Sequence, residues 1–137
     1  MNFVLLAVLL AGFGAQLCKL IIYWFRHKTL AIADLVVTGG MPSSHSAFVV
    51  ALSTAVYLQE GASTAFAITL VIAMIVIRDA FGVRRTVGEE GVVITDILKK
   101  LKLRTKTHFS MGHTPKQVAV GALIGLVVPI LVYYARL

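Results

Sequence analysis

Three long apolar runs, Phe3 to Phe25, Ala47 to Ile77 and Val118 to Tyr134, leave this chain few ways to fold. In hydrocarbon, every backbone N–H and C=O needs a partner within the protein, which restricts spanning segments to helices and closed barrels. A barrel strand needs about 9–11 residues and a helix about 20, and these runs have helix length. Gln16 and Lys19 alone interrupt the first. The middle run, 31 residues long, exceeds one crossing, and Gln59-Glu60-Gly61 divides it into two. With 58% apolar residues and a mean hydropathy of +0.90, the 137 residues read as an all-α, polytopic membrane bundle of about four transmembrane helices. Residues 1–137 are expected to form a single membrane-embedded domain.

Charge placement predicts the topology. A secretory signal has basic residues before its apolar core, whereas Met1-Asn2-Phe3 has none, and Lys19, Arg26 and Lys28 come afterwards. The first run is therefore expected to remain as a helix with its N-terminus outside. Arg26 and Lys28 lie in the first connection, and Arg84, Arg85, Lys99, Lys100, Lys102, Arg104, Lys106 and Lys116 in the long one, while the Gln59-Glu60-Gly61 turn has no basic residue. Four crossings place residues 26–44 and 81–116 on one side, and the positive-inside rule makes that side cytoplasmic. The long connection reads as a polar break over Gly88–Gly91 followed by a short amphipathic interfacial helix over Val92–Leu103. Cys18, the single cysteine, excludes an intrachain disulfide.

Two histidine segments then share one membrane face. Met41-Pro42-Ser43-Ser44-His45-Ser46 and Met111-Gly112-His113-Thr114-Pro115 each set a histidine among small or hydroxylated residues at the mouth of an apolar run. Backbone N–H groups at a helix start attract anions, and two imidazoles supply a nucleophile and a proton donor. Ionisable groups at the ends of the apolar runs add to this. A charge at a helix centre costs about 2.5–3.5 kcal/mol by insertion scales. Snorkelling accounts for Lys19 and Arg78 but not for Asp79; a plain salt-bridge role for Arg78, Asp79 and the Arg84-Arg85 pair is the alternative to a functional one. Guanidiniums match phosphate oxygens as bidentate donors, which points to phosphoryl chemistry.

Lys19 and Arg26, then Pro42-Ser43-Ser44-His45, then arginines followed by His113 are similar to the three-part signature of the type 2 phosphatidic acid phosphatase superfamily, which shares its site with the vanadium haloperoxidases. That signature reads K-x6-R-P, P-S-G-H and S-R-x5-H-x3-D. Gly39 to Ser46, Arg78 to Arg85 and Gly112 to Pro115 look most like a short, divergent branch, and the match spans Gln16 to Gly121. His27 stands at the proline, Ser44 at the glycine and Gln117 at the final aspartate, and Arg85 precedes His113 by 28 residues.

The resemblance implies that His113 attacks phosphorus and that His45 protonates the leaving alkoxide. It implies that Lys19, Arg26, Ser43, Ser44, Arg78, Arg84, Arg85 and Gln117 surround the phosphate. Asp79 is the candidate to orient an imidazole in place of the missing aspartate, with Glu89 and Glu90 behind it. Neither metal nor cofactor is expected, since fixed cations and N–H donors stabilise the charge. The expected substrate is a lipid phosphomonoester of the phosphatidylglycerophosphate or phosphatidate type, with a polyprenyl diphosphate as the alternative. A small transporter and a non-catalytic lipid-binding protein are the rival classes. The partners expected are membrane lipids and not nucleic acid. A homodimer is suggested by Gly121-Ala122-Leu123-Ile124-Gly125 and by the small residues at Ala11 and Ala15, with packing inside one chain as the alternative.

Overall fold

The computed structural model describes residues 2–28, 40–103 and 112–135, with the side chains of Arg26 and His27 outside that description. The described residues form five helices and no strand: α1 (Phe3–His27), α2 (Ser44–Glu60), α3 (Thr64–Phe81), α4 (Val83–Lys100) and α5 (Pro115–Ala135). By length and composition, α1, the α3–α4 stretch and α5 are able to cross a membrane. The 17 residues of α2 rise about 26 Å, somewhat less than the roughly 30 Å of bilayer hydrocarbon.

The short α2 is the centre of the bundle, touching α1, α3 and α5. It achieves this with small side chains. Ala47, Ala51 and Ala55 on α2, and Ala7, Ala11 and Ala15 on α1, are all 0% exposed. Spacing of four residues aligns each trio as one row on its helix, and such rows let helix backbones approach closely in lipid. On the side of α5, a methyl built on Gly121 would lie 2.2 Å from the Ser43 carbonyl oxygen, and one on Gly125 2.6 Å from that of Ala47. Both small-residue motifs are thus packed inside the chain.

Chain direction places the site. Phe3 and Ala7 cluster with Ala55, Leu58, Val132 and Tyr133 at one end of the bundle. At the other end, the Ser43 N–H donates to the Gln117 carbonyl at 3.1 Å. Hence α2 and α5 run parallel, with α1 antiparallel to both, and the two helices that follow the histidine motifs start side by side.

Local chemistry explains the helix ends. Ser43 caps α2 by accepting from the Ser46 N–H, and Ser63 caps α3 by accepting from the Phe66 N–H. Gly61, with φ +68°, closes α2 in a conformation that a Cβ disfavours. The middle run is divided at the expected place, but Gln59 and Glu60 are still helical and the turn begins at Gly61.

The long connection differs from expectation. The break falls at Gly82, and α4 runs unbroken through Gly88–Gly91 from Val83. An Arg85–Glu89 ion pair at 3.0 Å, four residues apart, bridges the stretch, and Gly88 and Gly91 are buried in it. Its last part keeps the amphipathic character expected of Val92–Leu103, with Val93, Ile97 and Leu101 exposed.

Candidate active site

The turn before α5 is held at both ends. Thr114 and Gln117 form a reciprocal capping box: the Gln117 side chain accepts from the Thr114 N–H at 2.9 Å, and the Thr114 hydroxyl accepts from the Gln117 N–H at 3.4 Å. Just before it, the His113 N–H donates to the Ala80 carbonyl at 3.0 Å. Gly112 runs so close to α4 that a Cβ there would lie 2.4 Å from the Arg85 nitrogen. The turn bearing His113 is therefore fixed to the α3–α4 junction as well as to α5.

His45, the second residue of α2, enters the same space. His45, His113, Asp79, Arg84, Val76 and Ala80 line one cavity of about 10 Å³. That volume admits about one water-sized sphere and is smaller than a phosphate group. The starts of α2 and α5 meet at this end, so the positive ends of two helix dipoles are directed at one place.

Gln117 is the partner of the buried His113. Its Oε1 lies 3.4 Å from His113 Nδ1, a long contact that would hold the proton on Nδ1 and leave the lone pair on Nε2. Burial pushes the His113 imidazole below its ordinary value of 6.5, and the charges of Lys19 and His45 act in the same direction. The Gln117 side chain and the Gly40 backbone oppose the shift by favouring the ring's charged form. The ring rests neutral at pH 7.

Asp79, expected to orient an imidazole, pairs instead with Arg84 at 2.5 Å. Its carboxylate still lines the histidine cavity, but the Nδ1 partner is Gln117, and the reason is connectivity: Gln117 is one helical turn from His113 on the same helix start. The arginines part company. Arg84 lines the cavity, Arg85 turns away to Glu89, and Arg78 lies over the Phe81 ring, 5.8 Å from its centroid.

Lys19 is buried on α1, with its aliphatic stem about 3.8 Å from where a Gly40 Cβ would be. Ser43 and Ser44 are buried at the α2 start, and the Ser46 hydroxyl donates to that of Ser43 at 2.9 Å. The Ser43 and Ser46 hydroxyls hold the helix start together. The Arg26 side chain lies outside the described residues. Sequence reasoning passed over Ala80, whose carbonyl anchors His113, and Val76, which walls the cavity; small or apolar residues on a spanning helix have no signal to separate them from lipid-facing ones. Among the described residues no group of three or more metal-ligating side chains occurs.

Comparison with known proteins identifies the family. Residues 1–128 match the sequence profile of the Divergent PAP2 family. The chain is similar to the uncharacterized membrane protein YuiD of Bacillus subtilis (strain 168), at 35% identity over 97% of this chain and 95% of that protein. No solved structure matches.

Proposed function

This chain belongs to the Divergent PAP2 family, and from that premise we propose that it is a membrane lipid phosphatase acting on a lipid phosphomonoester, of the phosphatidate or phosphatidylglycerophosphate type. The observation that supports this reading is the shared cavity of His45, His113, Asp79 and Arg84 beside the starts of two parallel helices. Nε2 of neutral His113 attacks phosphorus, forming the N–P bond as the P–O bond to the lipid breaks. His45, protonated against the negative charge of the bound phosphate, gives its proton to the departing alkoxide, and water then cleaves the phosphohistidine. Arg84, Lys19 and the N–H groups at the α2 start stabilise the equatorial oxygens.

Phosphate needs more room than the cavity has. Arg84 and Asp79 side chains are 54% and 35% exposed, and an exposed ion pair contributes only about 0–1 kcal/mol. Arg84 therefore exchanges Asp79 for a phosphate oxygen at little cost. The site faces the cytoplasm in this reading, because Arg84 and Arg85 lie beside it while the Gly61 turn, at the other end of α2, has no basic residue.

One observation favours a second reading. Gln117, an amide, orients His113 where a carboxylate would also stabilise the imidazolium, and a protein that binds lipid phosphates without cleaving them has no need of that charge. Phosphate release from a panel of lipid phosphates by the purified protein separates the two. Binding with no release from any of them would replace the phosphatase with a lipid-phosphate-binding protein.

A further inference from the structure

A groove of about 750 Å³ runs along the outer side of α3 and the start of α4, lined by Met74, Ile75, Ile77, Phe81 and Val83 with Arg78 at its polar end. Asp79 lines both this groove and the histidine cavity. The groove opens on a helix that is sparsely covered by the rest of the bundle, with Met74 and Ile75 each 63% exposed. A second apolar cleft of about 470 Å³, between α2, α3 and α5, shares Met74 and Ile77 with it and reaches Phe66. From Phe81 to Phe66 the helix rises about 22 Å, more than the roughly 15 Å of one leaflet's hydrocarbon.

The polar end has a charge to match an anionic head group. Asp79 is paired with Arg84 and Glu89 with Arg85. Among the described residues, Arg78 has the Phe81 ring and the Gly82 backbone beside its guanidinium and no ion-paired carboxylate. A cation at the hydrocarbon edge is stabilised by an anion brought to it.

We infer that this groove is the tail-binding part of the site and takes an acyl chain of a diacyl lipid monophosphate. The chain lies against Met74, Ile75 and Phe81, Arg78 meets the lipid phosphate as it arrives, and the phosphate passes over Asp79 into the histidine cavity. Naming the acyl chain rests on the lipid phosphatase reading; the position of the groove does not. Lipid tails are as apolar as the groove, so the gain lies in packing and placement and not in transfer from water.

The test uses the full chain in nanodiscs and a dioleoyl phosphatidate with a diazirine near the end of one acyl chain. Photolabel is expected on residues 74–83. Ile75→Trp, which fills the groove, should reduce it, while Leu17→Trp on the lipid-facing side of α1 should not. In parallel, Ile75→Trp should raise severalfold the ratio of KM for dioleoyl to KM for dihexanoyl phosphatidate. Label spread evenly over the lipid-facing helices, or unmoved by Ile75→Trp, would overturn the inference. So would a groove that escapes label because a second copy covers it, seen as a dimer that Ile75→Trp dissociates. Groove labelling without phosphate release from any lipid would uphold the lipid site and remove the phosphatase reading. Release with the groove unlabelled would do the reverse.

Discussion

His113 shows how one side chain is prepared by its neighbours. Its neutral ring results from burial, with Lys19 and His45 adding to the effect. In linkage terms the sign is definite: the neutral ring contributes stability that is fully present above the unfolded imidazole's 6.5 and is lost as pH falls through the lower folded value. In the proposed mechanism, attack through Nε2 follows the same titration, so the acidic limb of kcat/KM should lie below 6.5. Gln117→Glu places a carboxylate near Nδ1 and should move that limb to higher pH; a limb that stays in place would remove Gln117 from the role of ring partner. His113→Ala should abolish phosphate release. His45→Ala should slow it mainly for lipids with poor alkoxide leaving groups, since only the acid's contribution depends on leaving-group basicity. Full activity in His113→Ala would transfer the nucleophile elsewhere. Gln117 was visible in the sequence as a substitution for aspartate, but its second duty as a cap for Thr114 depends on the turn geometry.

At the scale of elements, hydropathy located α1, α3 and α5 because a membrane leaves an apolar run only one local structure. The Gly61 turn was equally legible. Gly82 and the unbroken α4 were not, since Gly88-Glu89-Glu90-Gly91 has the composition of a loop and becomes helical through an ion pair and buried glycines. Glycine has opposite effects at two positions, which provides a test of packing. Gly121→Ala forces a methyl to 2.2 Å from the Ser43 oxygen, and overpacking of this kind typically costs about 1–3 kcal/mol. Gly14→Ala meets nothing within 4 Å and should stabilise α1 by about 0.5–1 kcal/mol. Thermal unfolding in detergent should therefore move in opposite directions for the two variants. A neutral Gly121→Ala would mean that α5 does not press on α2.

For the whole molecule, the charge pattern of the sequence led to the expectation that the two histidine motifs meet at one end of the bundle, and His45 and His113 do line one cavity there. Parallel α2 and α5, joined by the Ser43–Gln117 bond, are a long-range pairing that local pattern does not encode. The same arrangement predicts a metal-independent enzyme: chelator should leave phosphate release intact, and vanadate, a mimic of the five-coordinate phosphoryl transition state, should inhibit it. Loss with chelator that one divalent ion restores would assign the chemistry to a metal. Orientation is tested in a Cys18→Ala background. A cysteine at position 61 should react with an impermeant thiol reagent added outside, and one at position 84 only from the cytoplasmic side. Position 84 labelled from outside would invert the topology.

The close approach of α5 to α2 has one more consequence. Between Gly121 and Ser43, and between Gly125 and Ala47, main chain rests on main chain with no side chain between. Rotamer changes and exchange of one annular lipid for another have nothing there to act upon. The spacing of the two imidazole-bearing helix starts is thus set by van der Waals contact between backbones, as a fixed jaw is, and α3 is tied to that jaw by the hydrogen bond from the His113 N–H to the Ala80 carbonyl.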